Sequence, residues 1–246
     1  MFQKPPPKAT EVNNNPSENF AEKLVQTKQL LQQAAREFSP CVQASSLGAE
    51  DMVITTLIHQ LDLTVNVFVL DTGALHTETL SLLERVQARA TKHSSVLVYK
   101  PELSSVIDFI RREGQDSIYK TQVLRKECCN IRKLEPLSRA LSDQKAWITG
   151  LRSEQSTNRA QMQLIEKDTQ AGKAITKFSP LMHWTWGDVW HFLNINNVDY
   201  NPLHDQFYPS IGCAPCTRAI SLGEDLRAGR WWWEEASAKE CGLHQK

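Results

Sequence analysis

Apolar positions recur along this chain with a helical period in some stretches and as short unbroken runs in others, and the two kinds of stretch alternate. Phe20, Leu24, Leu31, Ala35 and Phe38 fall at helical spacing. Asn15-Pro16-Ser17-Glu18 ahead of them combines a capping residue, a proline at the first helical position and an acid at the third, so a helix is expected to start there. Gln43-Ala44-Ser45 reads as the end of a strand running into a short loop, and residues 50–61 as a helix with Val53, Ile54, Leu57 and Ile58 inward. Residues 65–70 form an apolar run suited to a buried strand, broken by Asp71-Thr72-Gly73. A helix carrying Leu80, Leu83 and Val86 follows, then a strand over 95–99, a helix over 106–112 and a strand over 146–149 that ends in Gly150. Strands alternating with helices predict an α/β fold, a parallel sheet with helices on both faces. In such sheets ligands sit beyond the carboxyl ends of the strands. Three turns fall there: residues 45–51, 70–73 and 150–159, all rich in small, hydroxylated or charged side chains. After about residue 178 the pattern stops, and Trp, His, Pro and Cys become dense.

Composition narrows the picture. At 246 residues the chain can bury one sizeable core. Lys plus Arg equals Asp plus Glu at 28 each, so no global field favours nucleic acid, and any anion site must be a local concentration of charge. No stretch is long and apolar enough to cross a bilayer, and the Pro-rich start lacks the apolar core of a secretory signal. A disordered leader over 1–16, an α/β body over 17–225 and a mobile carboxyl-terminal segment over 226–246 are expected. The six cysteines then belong to a reducing, cytoplasmic setting, where metal binding or catalysis outweighs disulfide formation.

Four of those cysteines form two pairs, Cys128-Cys129 and Cys213-Ala214-Pro215-Cys216. Four thiolates suit a tetrahedral zinc or a four-iron cluster. Adjacent ligands converge awkwardly on one ion, whereas a cluster offers separate irons, which favours iron–sulfur. Arg132 and Lys133 stand beside the first pair and would offset a cluster's negative charge. Cys241 stands apart in Glu240-Cys241-Gly242-Leu243-His244, where His244 would favour its thiolate. Cys41, at the start of an apolar strand, reads as a small core residue. Ser45, Ser46 and Gly48 at a helix start make an anion cradle, and Leu70, Asp71, Thr72 and Gly73 lie one βα unit on. Arg152 and Arg159 follow the next strand, and Arg227 and Arg230 precede Trp231-Trp232-Trp233; guanidinium forks of this kind bind phosphate or sulfate oxygens. Trp184-Thr185-Trp186-Gly187-Asp188 reads as the opening of a helix, and His183, His191 and His204 as structural.

Taken together these segments resemble the phosphoadenylyl- and adenylyl-sulfate reductase family. The likeness runs from about Phe20 to His244. The Ser-Ser-Leu-Gly-Ala-Glu-Asp loop is similar to the family's modified PP-loop, Leu70-Asp71-Thr72-Gly73 to its LDTG turn, residues 150–159 to its arginine loop, and Gly229-Arg230-Trp231-Trp232-Trp233 to its late basic-aromatic motif. Glu240-Cys241-Gly242-Leu243-His244 matches the terminal ECGLH signature.

The resemblance implies that Cys241 attacks the sulfur of a nucleotide-borne sulfate, forming an enzyme thiosulfonate, and that thioredoxin or a glutaredoxin-like thiol frees sulfite. It implies catalytic roles for Cys241, Lys133 and His244. It makes Ser45, Ser46, Gly48, the LDTG turn, Arg152, Arg159, Arg227 and Arg230 the substrate site. It also implies a [4Fe-4S] cluster on Cys128, Cys129, Cys213 and Cys216, a mark of the branch that usually takes adenylyl sulfate, and a homo-oligomer. Ser46-Leu47-Gly48 departs from the Phe-Ser-Gly run common in that branch, which keeps phosphoadenylyl sulfate, or both nucleotides, as the alternative substrate. The rival readings are an ATP-consuming PP-loop ligase, whose usual Ser-Gly-Gly-x-Asp-Ser loop is absent, and a non-enzymatic metal-stabilised module.

Overall fold

In the computed structural model, residues 7–155, 159, 162–169, 174–221 and 223–235 are described. The elements run α1 (Ala9–Val12), α2 (Phe20–Glu37), β1 (Cys41–Ser45), α3 (Ala49–Gln60), β2 (Asn66–Leu70), α4 (Thr77–Ala88), β3 (Val96–Tyr99), α5 (Leu103–Glu113) and α6 (Gln122–Cys129). A π-turn over Asn130–Leu134 joins α6 to α7 (Glu135–Leu141), and β4 (Ala146–Ile148), β5 (Ile165–Asp168), β6 (Ile175–Phe178) and α8 (Trp186–Ile195) complete the set. The six strands form one sheet in the order β3-β2-β1-β4-β6-β5. Every pairing is parallel except β5 against β6, so the expected parallel sheet is realised with one antiparallel edge.

Alternate residues of the central strands feed two cores. Cys41, Val69, Ala146 and Ile148 pack with α2, α3, α4 and α8 on one face. Val42, Phe68 and Trp147 meet Leu137, Ala140 and Leu141 of α7 on the other. The chain reverses direction across the sheet between β1 and β4, and both neighbours of β1 leave it at their carboxyl ends, where ligands bind in such sheets. No helix among the described residues is long and apolar enough to cross a membrane.

Three expectations change. The helix expected from Asn15 begins at Phe20 behind Asn19. Ser17 instead donates its main-chain N–H and hydroxyl to Asp188, at 2.7 and 2.8 Å, so a distant buried carboxylate outcompetes the local cap. The leader is packed in its described part: α1 buries Ala9, whose N–H donates to Asp205 at 2.7 Å. The carboxyl-terminal segment, expected to be mobile from 226, is anchored through residue 235, with Trp231 buried and Glu234 paired to Arg125. Two regions were not foreseen. Residues 122–141 hide their helical period under clustered charges and the cysteine pair. The polar strands β5 and β6 pair Lys177 with Glu166 at 3.1 Å.

Candidate active site

The loop after β1 is held from within. Ser46 donates its N–H and hydroxyl to Asp51 at 2.6 and 2.7 Å, and Leu47 N–H donates to Ser45 Oγ at 3.1 Å. Leu47 takes a left-handed backbone (φ 61°) while fully buried, and Gly48 caps α3. The loop thereby turns hydroxyls and the helix amino terminus toward one space. Burial pushes the Asp51 carboxyl up to about 6, against the Ser46 hydrogen bonds that lower it. Burial also acts to raise Glu50, but the Arg152 charge together with hydrogen bonds from the main chain, Arg152 and Gln155 prevails and holds that carboxyl below its usual range.

The turn after β2 is fixed by its own residues. Asp71 accepts from Gly73 N–H at 3.0 Å, and Gly73 has the positive φ of 68° that such a turn needs. Arg132 donates to the Thr72 carbonyl at 2.6 Å, and the Thr72 hydroxyl lies 3.2 Å from Cys213 Sγ. Leu70 and Thr72 reach the cavity; Asp71 and Gly73 shape the turn behind it.

The turn after β4 carries Arg152, fully buried and donating to Glu50 at 2.9 Å, Glu154 at 2.9 Å and the Trp184 carbonyl at 3.3 Å. Its charge is thus answered by protein carboxylates, and from the cavity wall it supports Glu50. Gln155 bridges Glu50 and Arg159.

The two cysteine pairs converge from different segments. Cys128, Cys213, Cys216, Ile118 and Trp231 share one apolar cluster, and the Cys216 thiol feels the charges of both Cys213 and Cys129. The π-turn following Cys129 redirects the chain so that Lys133 reaches the same space as Cys213. Burial pushes Cys216 up to about 12 and also acts to raise Cys213. At Cys213 the Lys133 charge, the Thr72 hydrogen bond, Arg230 and Arg132 prevail and leave it below the ordinary thiol value. Among the described residues no three His, Cys, Asp or Glu side chains could together hold a single metal ion. The all-thiol donor set is of the kind that iron–sulfur clusters use, and a cluster spreads its ligands over separate irons.

These turns enclose one cavity of about 250 Å³. Ser45, Ser46, Gly48, Leu70, Thr72, Lys133, Arg152, Arg159, Arg227, Arg230 and Cys213 line it, with an apolar floor of Phe68, Leu137 and Trp147. Beyond Arg152, which is paired with Glu50, the cations Lys133, Arg159, Arg227 and Arg230 on its wall concentrate positive charge locally in a chain of zero net charge. Sequence reasoning missed the 209–212 stretch, Gln155 and His204, all of which line it. His204 is buried and pushed down to about 4 by burial, so its ring is neutral. Only the placement of residues 209–212 just ahead of Cys213 hinted at their role. Cys241 and His244 lie outside the described residues.

An α/β sheet with a hydroxyl-bearing loop and a cation-lined cavity at its switch point defines a nucleotide-binding protein of the PP-loop type. The chain belongs to the phosphoadenosine phosphosulfate reductase domain family, whose model matches residues 40–219. It is 50% identical over 220 residues to the adenosine 5'-phosphosulfate reductase of Allochromatium vinosum, covering 89% of this chain and 84% of that one. It is 45% identical to the enzyme of that name from Neisseria meningitidis serogroup A, covering 95% of each. Among solved structures, the phosphate complex of Candida auris phosphoadenylyl-sulfate reductase superposes with a TM-score of 0.65 at 25% identity, covering 82% of this chain and 95% of that one.

Proposed function

We propose that this chain reduces adenylyl sulfate to sulfite and AMP in sulfate assimilation, with Cys241 as nucleophile and thioredoxin or a similar dithiol as reductant. The observation that carries the reading is the single cavity that joins the Ser45-Ser46 loop, Lys133, Arg230 and the Cys213 thiol. The floor of Phe68, Leu137 and Trp147 suits the adenine ring, and the cations suit the phosphate and sulfate oxygens. The Cys241 thiolate attacks sulfur, the bond from sulfur to the phosphate oxygen breaks, and AMP leaves with that electron pair. Lys133, Arg227 and Arg230 offset the charge gathering on the oxygens. One thiol of the donor then attacks Cys241 Sγ and sulfite departs with the bonding pair. The donor's second thiol closes its own disulfide and returns Cys241, a two-electron transfer in total. Cys241 stands six residues beyond Glu235, and six residues span at most about 21 Å, enough to reach a neighbouring pocket. His244 would steady the thiolate.

A four-iron cluster would be held by Cys128, Cys129, Cys213 and Cys216, and when bound it supplies charge and structural order beside the sulfate rather than electrons. Thiol chemistry of this kind belongs to a reducing compartment such as the cytoplasm. The carboxylates of Glu50 and Asp51 on the cavity wall favour adenylyl sulfate over its 3'-phosphorylated relative.

Anaerobic single turnover with each nucleotide, read by mass spectrometry, tests the reading. A sulfite adduct on Cys241 with adenylyl sulfate is expected, and its loss in Cys241→Ser with iron content retained. An adduct on Cys213 instead would move the nucleophile, and faster adduct formation with the 3'-phosphorylated nucleotide would reverse the substrate choice.

A further inference from the structure

Arg230 reaches the cavity with weak hydrogen bonds. It donates to Ser210 Oγ at 3.3 Å and to the Ile211 carbonyl at 3.4 Å, both long. Its guanidinium also lies over the Trp231 ring, 4.6 Å from the centroid, and presses against Gly212. Trp231 is therefore a principal support of Arg230. That ring is 1% exposed, and its indole N–H finds no acceptor among the described residues. Its orientation is set by packing against Ile118, Cys213 and Cys216 and by a second guanidinium, Arg125, also 4.6 Å from the centroid.

Two cations over one ring repel unless one is neutralised. Arg125 is neutralised by a bidentate pair: its Nε and Nη2 donate to the two oxygens of Glu234 at 2.8 Å each. Both side chains are buried, 1% and 8% exposed. Arg125 lies one helical turn before Cys128 and Cys129, and Glu234 lies four residues after Arg230. Neither residue lines the cavity. The pair thus pins the α6 helix to the segment that carries Arg230, with the Trp231 ring between.

We infer that Arg125 and Glu234 are positioning residues for the sulfate end of the substrate, setting through Trp231 where Arg230 stands in the cavity. The inference rests on the anion role proposed above for Arg230 and adds a remote pair that tunes it. The geometry of a fork, two parallel bonds in one plane, is what a lysine or a neutral amide cannot reproduce.

Binding of adenylyl sulfate and of AMP to the full cluster-loaded chain separates a positioning role from a merely structural one, because AMP lacks the sulfate. Glu234→Gln is expected to weaken adenylyl sulfate about tenfold and AMP by less than about twofold, a coupling in the usual range for residues in contact. Arg125→Lys, which keeps the charge and loses the fork, guards against a misfolded first variant and should shift the same ratio. In the background of Arg230→Ala, adding Glu234→Gln should change neither affinity further. Equal losses for both nucleotides, or effects that multiply in the double variant, would overturn the inference while leaving the proposed reaction intact. If Arg230→Ala alone binds adenylyl sulfate as the parent does, the anion role of Arg230 fails, and the inference with it.

Discussion

Arg152 directs its guanidinium to Glu50, Glu154 and a main-chain carbonyl. Arg152→Met therefore strands a buried carboxylate, and a loss of about 3–5 kcal/mol of folding stability is expected in urea unfolding, with nucleotide affinity falling only as the fold does. A variant that stays as stable as the parent but loses anion binding would assign Arg152 to the substrate site. Gly212 gives the opposite pattern. A Cβ there would come within 2.5 Å of Arg230 Nη2, so Gly212→Ala must push the guanidinium aside. The expected outcome is adenylyl sulfate affinity reduced about tenfold with stability changed by less than about 1 kcal/mol, since the atom displaced ends a side chain. Nucleotide titration alongside thermal melting checks it. At this scale the sequence revealed residue types and their turns. It did not reveal which arginine already had a carboxylate partner, because Glu50 and Arg152 meet only when β1 and β4 lie side by side.

Elements with a strong local signal were legible, and those settled by tertiary contacts were not. The capping box of α8 was readable from Thr185 and Asp188: Asp188 N–H donates to Thr185 Oγ1 at 3.0 Å and Thr185 N–H to Asp188 at 2.8 Å. The same Asp188 also takes Ser17 and Lys23, which moved the start of α2, and nothing near Asn15 signals that. The π-turn between α6 and α7 left no periodic mark either, yet it brings Lys133 to the cavity. The contact between α8 and the amino-terminal segment is close: a Cβ on Gly187 would lie 1.9 Å from the Asn15 carbonyl oxygen. Backbone must move, so Gly187→Ala is expected to cost about 1–3 kcal/mol and to loosen residues 9–17 first. Hydrogen exchange should show faster exchange at Ala9 and Ser17 with β1 and β2 unchanged. Uniform acceleration through the sheet would mean that the segment is not a separable attachment.

Over the whole molecule the balance of charge is zero, so responses to pH come from particular buried groups rather than from a global field. Asp188 is the stabilising one. Burial acts to raise its carboxyl, but hydrogen bonds from Lys23, Thr185 and Ser17 prevail and hold it at about 2. Because its folded value is depressed, its contribution of about 2 kcal/mol is complete above about pH 4 and vanishes as pH falls toward 2. Asp188→Asn should therefore lower the unfolding midpoint at neutral pH and match the parent near pH 2; a constant gap would dismiss the linkage.

Asp51 has the opposite sign and faces the cavity. Its folded value is raised to about 6, so the neutral acid persists up to about pH 6 and the carboxylate prevails above it, and ionising it costs stability as pH climbs from about 4 to 6. A bound nucleotide anion against the same wall adds a like charge, which raises the carboxyl further. Binding near pH 6 to 7 must then draw a proton from solvent, and affinity must weaken as pH rises through that window. Calorimetric titration of adenylyl sulfate, whose phosphosulfate has no group titrating in this window, into Cys241→Ser in buffers of different ionisation enthalpy measures the uptake, and adding Asp51→Asn should abolish it. Heats that do not depend on the buffer would mean that the anion sits too far from Asp51 to sense it. The Ser45-Ser46 loop, whose Ser46 N–H and hydroxyl are held by that same carboxylate, would then not be where the phosphate binds.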